Sequence, residues 1–186
     1  VYGDVATLPL NETVPTHPLS AYGLDKLSCE RYARIAAEFH GVPSVGLRFF
    51  NVYGPRQDPR SPYSGVISKF AANAAAGIPL TFNGDGEQTR DFIYVGDIVS
   101  LLIAASRHAS GAAVYNGCTG EQTSLKALAA AIGAAYGKSI QTAHGPARPG
   151  DIRHSCGDPM HATLVLGFTA ITPLAAGLAA LAASHA

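Results

Sequence analysis

Between positions 19 and 40 the apolar residues Leu24, Leu27, Ile35, Ala36 and Phe39 recur at helical spacing, while Arg31, Arg34 and Glu38 fall on the other side. That pattern predicts an amphipathic helix over 19–40, started near Pro18 or Ser20 and closed by Gly41. A short apolar run from Val42 to Phe50 follows directly, the mark of a parallel strand in a βαβ unit. Upstream, Val1-Tyr2-Gly3 reads as the end of a buried strand, and residues 5–18, rich in Pro, Thr and Asn, as a loop. Downstream, a loop to about Tyr63 leads to a helix over 66–76, then a strand over 79–82 and a turn at Asn83-Gly84-Asp85-Gly86. A strand over 92–95 comes next, then a helix over 98–107 with Asp97 as its cap. The series continues with a strand over 112–116 and an Ala-rich helix over 125–136 capped by Thr123 or Ser124. A loop from 137 to 149 is expected, then a short helix over 160–166 ended by Gly167, and a terminal helix after Pro173. Strands alternating with helices indicate an α/β fold built on a parallel sheet.

Composition narrows the function classes. The 186 residues carry no net charge, only 14% are charged, and no basic block occurs, so neither nucleic acid nor an anionic membrane is an expected partner. No signal pattern and no apolar run near ~20 residues is present, which leads to the expectation of a soluble, cytoplasmic protein. Cys29, Cys118 and Cys156 lack metal-ligand spacing and read as reduced thiols, and the histidines form no metal pattern, so no metal site is expected. Gly84-Asp85-Gly86 imitates a nucleotide-binding turn, but without a third glycine or a following helix a plain turn is the better reading.

One pair carries chemistry. Tyr22 and Lys26 lie four residues apart, which on a helix puts both side chains on one face. A free phenol titrates near ~10 and is a poor base at neutral pH. A neighbouring ammonium favours the phenolate, which is what a tyrosine acid/base needs. The pair alone is suggestive and no more.

Its surroundings add to it. Val1-Tyr2-Gly3-Asp4, Glu12 and Pro18 precede Ser20-Ala21-Tyr22-Gly23-Leu24-Asp25-Lys26. Arg48 through Pro59, Gly84 through Phe92, and Arg148-Pro149-Gly150-Asp151 follow it. In this order the series resembles the extended short-chain dehydrogenase/reductases that act on nucleotide sugars, most of all the UDP-sugar 4-epimerases. The resemblance runs along nearly the whole chain but covers only the later part of such an enzyme. It implies the C-terminal part of a Rossmann-type parallel sheet interleaved, over residues 1–186, with a smaller mixed α/β substrate-binding domain. The glycine-rich pyrophosphate turn of the N-terminal NAD-binding half is not in the sequence, which leads to the expectation of a fragment, inactive and unable to hold NAD tightly alone.

The resemblance also implies roles. Tyr22 and Lys26 are then the catalytic pair and meet the NAD cofactor, with Phe49 and Val52 passing the nicotinamide. Asn51, Gly65, Val66, Arg90, Arg148, Asp151 and Ser155 are the substrate contacts: Arg90 and Arg148 for the diphosphate, Asp151 for the uridine ribose, Gly65 and Val66 for the uracil. Ser155, fourth after the aspartate of the Gly-Asp motif, matches a position beside the sugar's C2 substituent, where a small residue leaves room for an N-acetyl group. The implied substrate is a UDP-hexose or UDP-N-acetylhexosamine, and the implied assembly a homodimer through the helix at 19–40. Taken singly, each residue has a plainer reading: surface arginines, turn-forming Asn51 and Asp151, core Phe49 and Val52, a loop serine. Within the same superfamily a 4,6-dehydratase or a decarboxylase is the rival reading, since the positions that discriminate them fall before Val1. An inactive remnant is the other.

Overall fold

In the computed structural model of the chain, which describes residues 1–61, 64–108, 111–148 and 150–185, α1 spans Ala21–His40. Ser20 starts it: its Oγ accepts a hydrogen bond from the Gly23 N–H at 3.1 Å, satisfying one of the donors a helix start leaves open. Gly41 ends it in the left-handed conformation at φ 64°, which a residue with a Cβ adopts only at a cost.

Strands β1 (Ser44–Phe49) and β2 (Asn51–Tyr53) follow, then α2 (Val66–Ala76), β3 (Leu80–Asn83), β4 (Thr89–Arg90) and β5 (Phe92–Tyr94). Next come α3 (Val95–Ser106), β6 (Ala112–Gly117), β7 (Thr123–Ser124), α4 (Leu125–Tyr136), β8 (Thr142–Gly145), α5 (Met160–Leu166) and α6 (Leu174–Ala183). β1 pairs with β6, β2 with β5 and β3 with β8, all parallel, while β4 and β7 pair antiparallel. This is the expected α/β arrangement of parallel strands and helices.

Two apolar clusters hold it. One gathers α2, α4 and α6 around β3 and β5, with Leu80, Leu128, Ile132 and Leu178 fully buried. The other joins β5, α3, β6 and α5 through Ile93, Leu101, Tyr115 and Ala162. Each large aliphatic so buried contributes about 1.5–3 kcal/mol of transfer free energy.

Two expectations need correction. Asp97 does not cap α3, which begins at Val95 with Tyr94 as its N-cap. The buried Asp97 carboxylate instead accepts from the N–H groups of Ile171 (3.3 Å) and Thr172 (3.2 Å), fixing the chain that leads into α6. The stretch 137–149 is not all loop, because Thr142–Gly145 forms β8. Those residues are polar or small and carry no alternation; the open edge of β3 makes them a strand. The predicted loop end at Tyr63, and Pro149 of the Arg148–Asp151 motif, lie outside the described residues.

Candidate active site

Helix α1 delivers Tyr22 and Lys26 on one face, as their spacing requires. The Lys26 ammonium nitrogen stands 5.3 Å from the centroid of the Tyr22 ring. Both side chains line a cavity of 670 Å³ whose far wall is β1, from Ser44 to Phe49. A second cavity of 450 Å³ adjoins it and shares Tyr22, Arg48 and Phe49. Into that second cavity the fold brings Asn51, Arg90, Asp151 and Ser155. Six of the expected site residues, from positions 22 to 155, therefore surround one space, between the C-terminal end of β1 and the N-terminal end of β2.

Each is placed by local structure. Phe49 is the last residue of β1 and Asn51 the first of β2, and the Asn51 N–H donates to the Asp91 carbonyl at 2.9 Å. Residues 153–155 run along Thr89: the Thr89 N–H donates to Arg153 O (3.0 Å) and the Ser155 N–H to Thr89 O (3.1 Å). Thr89 Oγ1 also meets His154 Nδ1 at 2.9 Å. Ser155 owes its place at the cavity to this pairing. Arg90 is largely shielded and donates from Nη2 to Asp151 Oδ1 at 2.6 Å and from Nη1 to Thr89 O at 2.8 Å. The expected diphosphate and ribose contacts are thus paired with each other.

Four expected residues stand apart from the two cavities. Val52 packs against the β5–α3–β6 cluster, and Val66 against the cluster around α2. Gly65 is the N-cap of α2, and its carbonyl accepts from Ser68 Oγ at 2.9 Å. Arg148 is exposed, and its carbonyl accepts from the Asp151 N–H at 3.2 Å.

The structure adds residues that the sequence reading did not single out. Arg48 donates from Nε and Nη2 to the two carboxylate oxygens of Glu30 at 2.8 and 2.7 Å, and lies over the Tyr2 ring with its Cζ 4.7 Å from the centroid. Burial alone would lower the Arg48 pKa, but its bonds to Glu30 and Tyr2 more than reverse this and hold the guanidinium charged. Tyr2 donates to Oδ1 of the fully buried Asn116 at 2.7 Å; burial raises the Tyr2 pKa against the opposite pull of Arg48 and Asn116. The Asn116 N–H donates to Glu12 Oε1 at 2.6 Å. An arginine inside an otherwise apolar strand was the available signal, since a charge there demands a partner.

Asp91, adjacent to Arg90, is fully buried. Its Oδ1 accepts from Thr119 N (2.9 Å) and Thr119 Oγ1 (2.7 Å), its Oδ2 from Gly120 N (3.0 Å) and Gly157 N (3.2 Å). Burial pushes its pKa up, and those donors pull it down without cancelling the rise. One carboxylate so ties together three segments that border the site.

Chemically, the arrangement offers a phenol with a nearby cation, a guanidinium for an anion and a carboxylate for hydroxyls. Among the described residues no group of acidic, His and Cys side chains could hold a metal ion, and no helix is long and apolar enough to cross a membrane.

Comparison with known proteins agrees with this geometry. Residues 1–117 match the model of the NAD dependent epimerase/dehydratase family. A UDP-glucose 4-epimerase of Mycolicibacterium smegmatis is 35% identical over 179 residues, covering 96% of this chain and 57% of its own length. The solved UDP-N-acetylglucosamine 4-epimerase of Methanobrevibacter ruminantium, in complex with UDP-N-acetylmuramic acid, superposes with TM-score 0.94 at 34% identity, covering 99% of this chain and 59% of that one. The UDP-glucose 4-epimerase of Thermus thermophilus, solved with NAD, gives TM-score 0.88 at 31% identity, covering 99% and 60%. The chain therefore spans less than two thirds of the length of these relatives.

Proposed function

The chain belongs to the NAD dependent epimerase/dehydratase family, and from that premise we propose that it is the substrate-holding part of an NAD-dependent enzyme that epimerises a UDP-hexose at C4. The observation that carries this reading is the convergence of Tyr22, Phe49, Asn51, Arg90, Asp151 and Ser155 on one cavity, continuous through Tyr22 and Phe49 with the space beside Lys26.

The residues fit the nicotinamide end of a dinucleotide. A phenol and an ammonium stand at a 670 Å³ cavity walled by β1, which Phe49 also lines. Tyr22, Lys26 and Phe49 are the residues that would hold that end. Bound NAD supplies hydride chemistry at the sugar C4. The chain's own part is proton transfer and grip. Tyr22 takes the proton of the sugar 4-hydroxyl and returns it to the opposite configuration, with the Lys26 charge favouring the phenolate. Arg90 holds a diphosphate, its planar fork suiting two oxygens at once, and Asp151 accepts from ribose hydroxyls. The two are joined by one contact, Nη2 to Oδ1, which fixes the guanidinium beside the carboxylate. Asn51 donates to the phosphates, and Ser155 lies beside the sugar, where its small side chain leaves room for an N-acetyl group. In α1, Leu24, Tyr32, Ile35 and Phe39 are exposed, which supports a homodimer through this helix.

Turnover in the protein that carries this chain, supplied with NAD, tests the assignment. Tyr22→Phe should lower epimerisation of UDP-glucose by about 10²–10⁴-fold without loss of fold. Ser155→Tyr should remove activity on UDP-N-acetylglucosamine and spare UDP-glucose, because steric overlap excludes more strongly than a lost contact. Near-normal turnover by Tyr22→Phe, or equal losses on both sugars for Ser155→Tyr, would sink the corresponding assignment. A 4,6-dehydratase would instead release a dehydrated product from the same assay.

A further inference from the structure

On α1, Glu30 follows Lys26 by four residues, as Lys26 follows Tyr22. A lysine and a glutamate at that spacing on a helix face attract each other. Left alone, Glu30 would draw the Lys26 ammonium along the helix and away from Tyr22. The structure shows another arrangement. Both Glu30 oxygens are taken by Arg48 at 2.8 and 2.7 Å, in a bridge whose side chains are only 11% and 16% exposed. Lys26 forms no ion pair among the described residues and remains over the Tyr22 ring. Arg48 is itself fixed, by the Tyr2 ring beneath it and by a 3.4 Å bond to the Glu12 carbonyl. Tyr22, Lys26, Glu30 and Arg48 all line the same 670 Å³ cavity.

We propose that Arg48 is a positioning residue that sequesters the Glu30 carboxylate, so that the Lys26 charge stays committed to Tyr22. The inference rests on the reading of Tyr22 and Lys26 as the acid/base pair, but a spectroscopic probe on the phenol separates the two, since it reports the position of the Lys26 charge whether or not the protein turns over substrate. Other groups facing the cleft are the Cys29 thiol on α1, the Val1 amino group, the Tyr2 phenol and, past Phe49, Arg90 and Asp151. None of these is changed in the experiment.

The protein is labelled with 3-fluorotyrosine, and the ¹⁹F resonance of Tyr22, assigned by its loss in Tyr22→Phe, is recorded at pH 7. With the cation 5.3 Å from the ring, withdrawing it changes the electric field at the fluorine and should displace the resonance in the same direction as Lys26→Met alone. Arg48→Leu should show that displacement, and Arg48→Leu with Glu30→Leu should return the resonance to the parent position. In a Lys26→Met background, Arg48→Leu should add no shift. A shift that persists there comes from the lost Arg48 charge itself and overturns the proposal, as does an unshifted Arg48→Leu. Should Arg48→Leu fail to fold, as read from the remaining tyrosine resonances, Arg48→Lys replaces it. Lysine holds Glu30 by a single contact, so a smaller displacement in the same direction supports the proposal and none refutes it.

Discussion

Removing the Asp91 carboxylate should be among the most damaging single changes in this chain. Asp91→Ala leaves the N–H groups of Thr119, Gly120 and Gly157 without their acceptor; that of Gly157 is buried, while Thr119 is half-buried and Gly120 exposed. A buried donor so orphaned costs about 1–3 kcal/mol. The Thr119 hydroxyl also loses the acceptor of its hydrogen, but half-buried and free to rotate, it can turn that hydrogen to water while still accepting from the Glu121 N–H at 3.1 Å. Allowing for water entering the vacated space, the expected loss is about 3 kcal/mol. Asp91→Asn keeps the shape, but turns an amide donor toward the donors of Gly120 and Gly157, for an expected loss of about 2 kcal/mol. The sign with pH is opposite to that of an exposed ion-paired carboxylate. Because burial raises the folded-state pKa of Asp91, its contribution is complete below the unfolded value and declines as pH rises through the folded one. The advantage of the parent over Asp91→Asn should therefore be larger in acid than at neutrality. The chain has no tryptophan, so urea unfolding is followed by far-ultraviolet circular dichroism at several pH values. An Asp91→Ala protein within 1 kcal/mol of the parent, or an advantage over Asp91→Asn that grows with pH, would refute the account.

Thiol chemistry offers a second check. Burial pushes Cys156 up to about 11 and Cys118 higher still, whereas Cys29 is exposed, so iodoacetamide at pH 8 should alkylate Cys29 alone in the folded protein. Mass spectrometry locates the adducts, and labelling of Cys118 or Cys156 before unfolding would contradict the packing. For the dimer, Phe39→Glu should shift sedimentation toward the monomer, since Phe39 is 75% exposed within one chain. Unchanged association would place the contact elsewhere.

The regular elements were legible because local signals agreed with tertiary ones. Ser20 and Gly41 bracket α1, Gly77 and Gly137 end α2 and α4 at φ 71° and 60°, and the helix over 66–76 has the expected bounds. What escaped depended on partners distant in sequence. β8 exists because β3 lies beside it, and β4 with β7 because two short segments meet. Asp97 fits a cap by residue type, but the chain at Ile171 and Thr172 claims its carboxylate. In the site, motif order led to the residues around the shared cavity, yet neither the Arg90–Asp151 pair nor the Glu30–Arg48 bridge has a local signature. Val52 and Val66, picked by the same motif order, pack inward because an apolar side chain gains more in the core than at a wet cleft.

The long reach of the polar contacts has a kinetic consequence. Tyr2 meets Asn116 across 114 residues, and Arg90 meets Asp151 across 61. Such contacts form only after the loop-closure entropy of the intervening chain has been overcome, so they belong to the late part of a folding reaction. The α4 helix closes its own hydrogen bonds early, whereas the cavity around Tyr22 has no precursor in any local segment. A ligand seated there recognises only the finished topology, so its occupancy reports complete folding and stabilises that state by mass action over every partly assembled one.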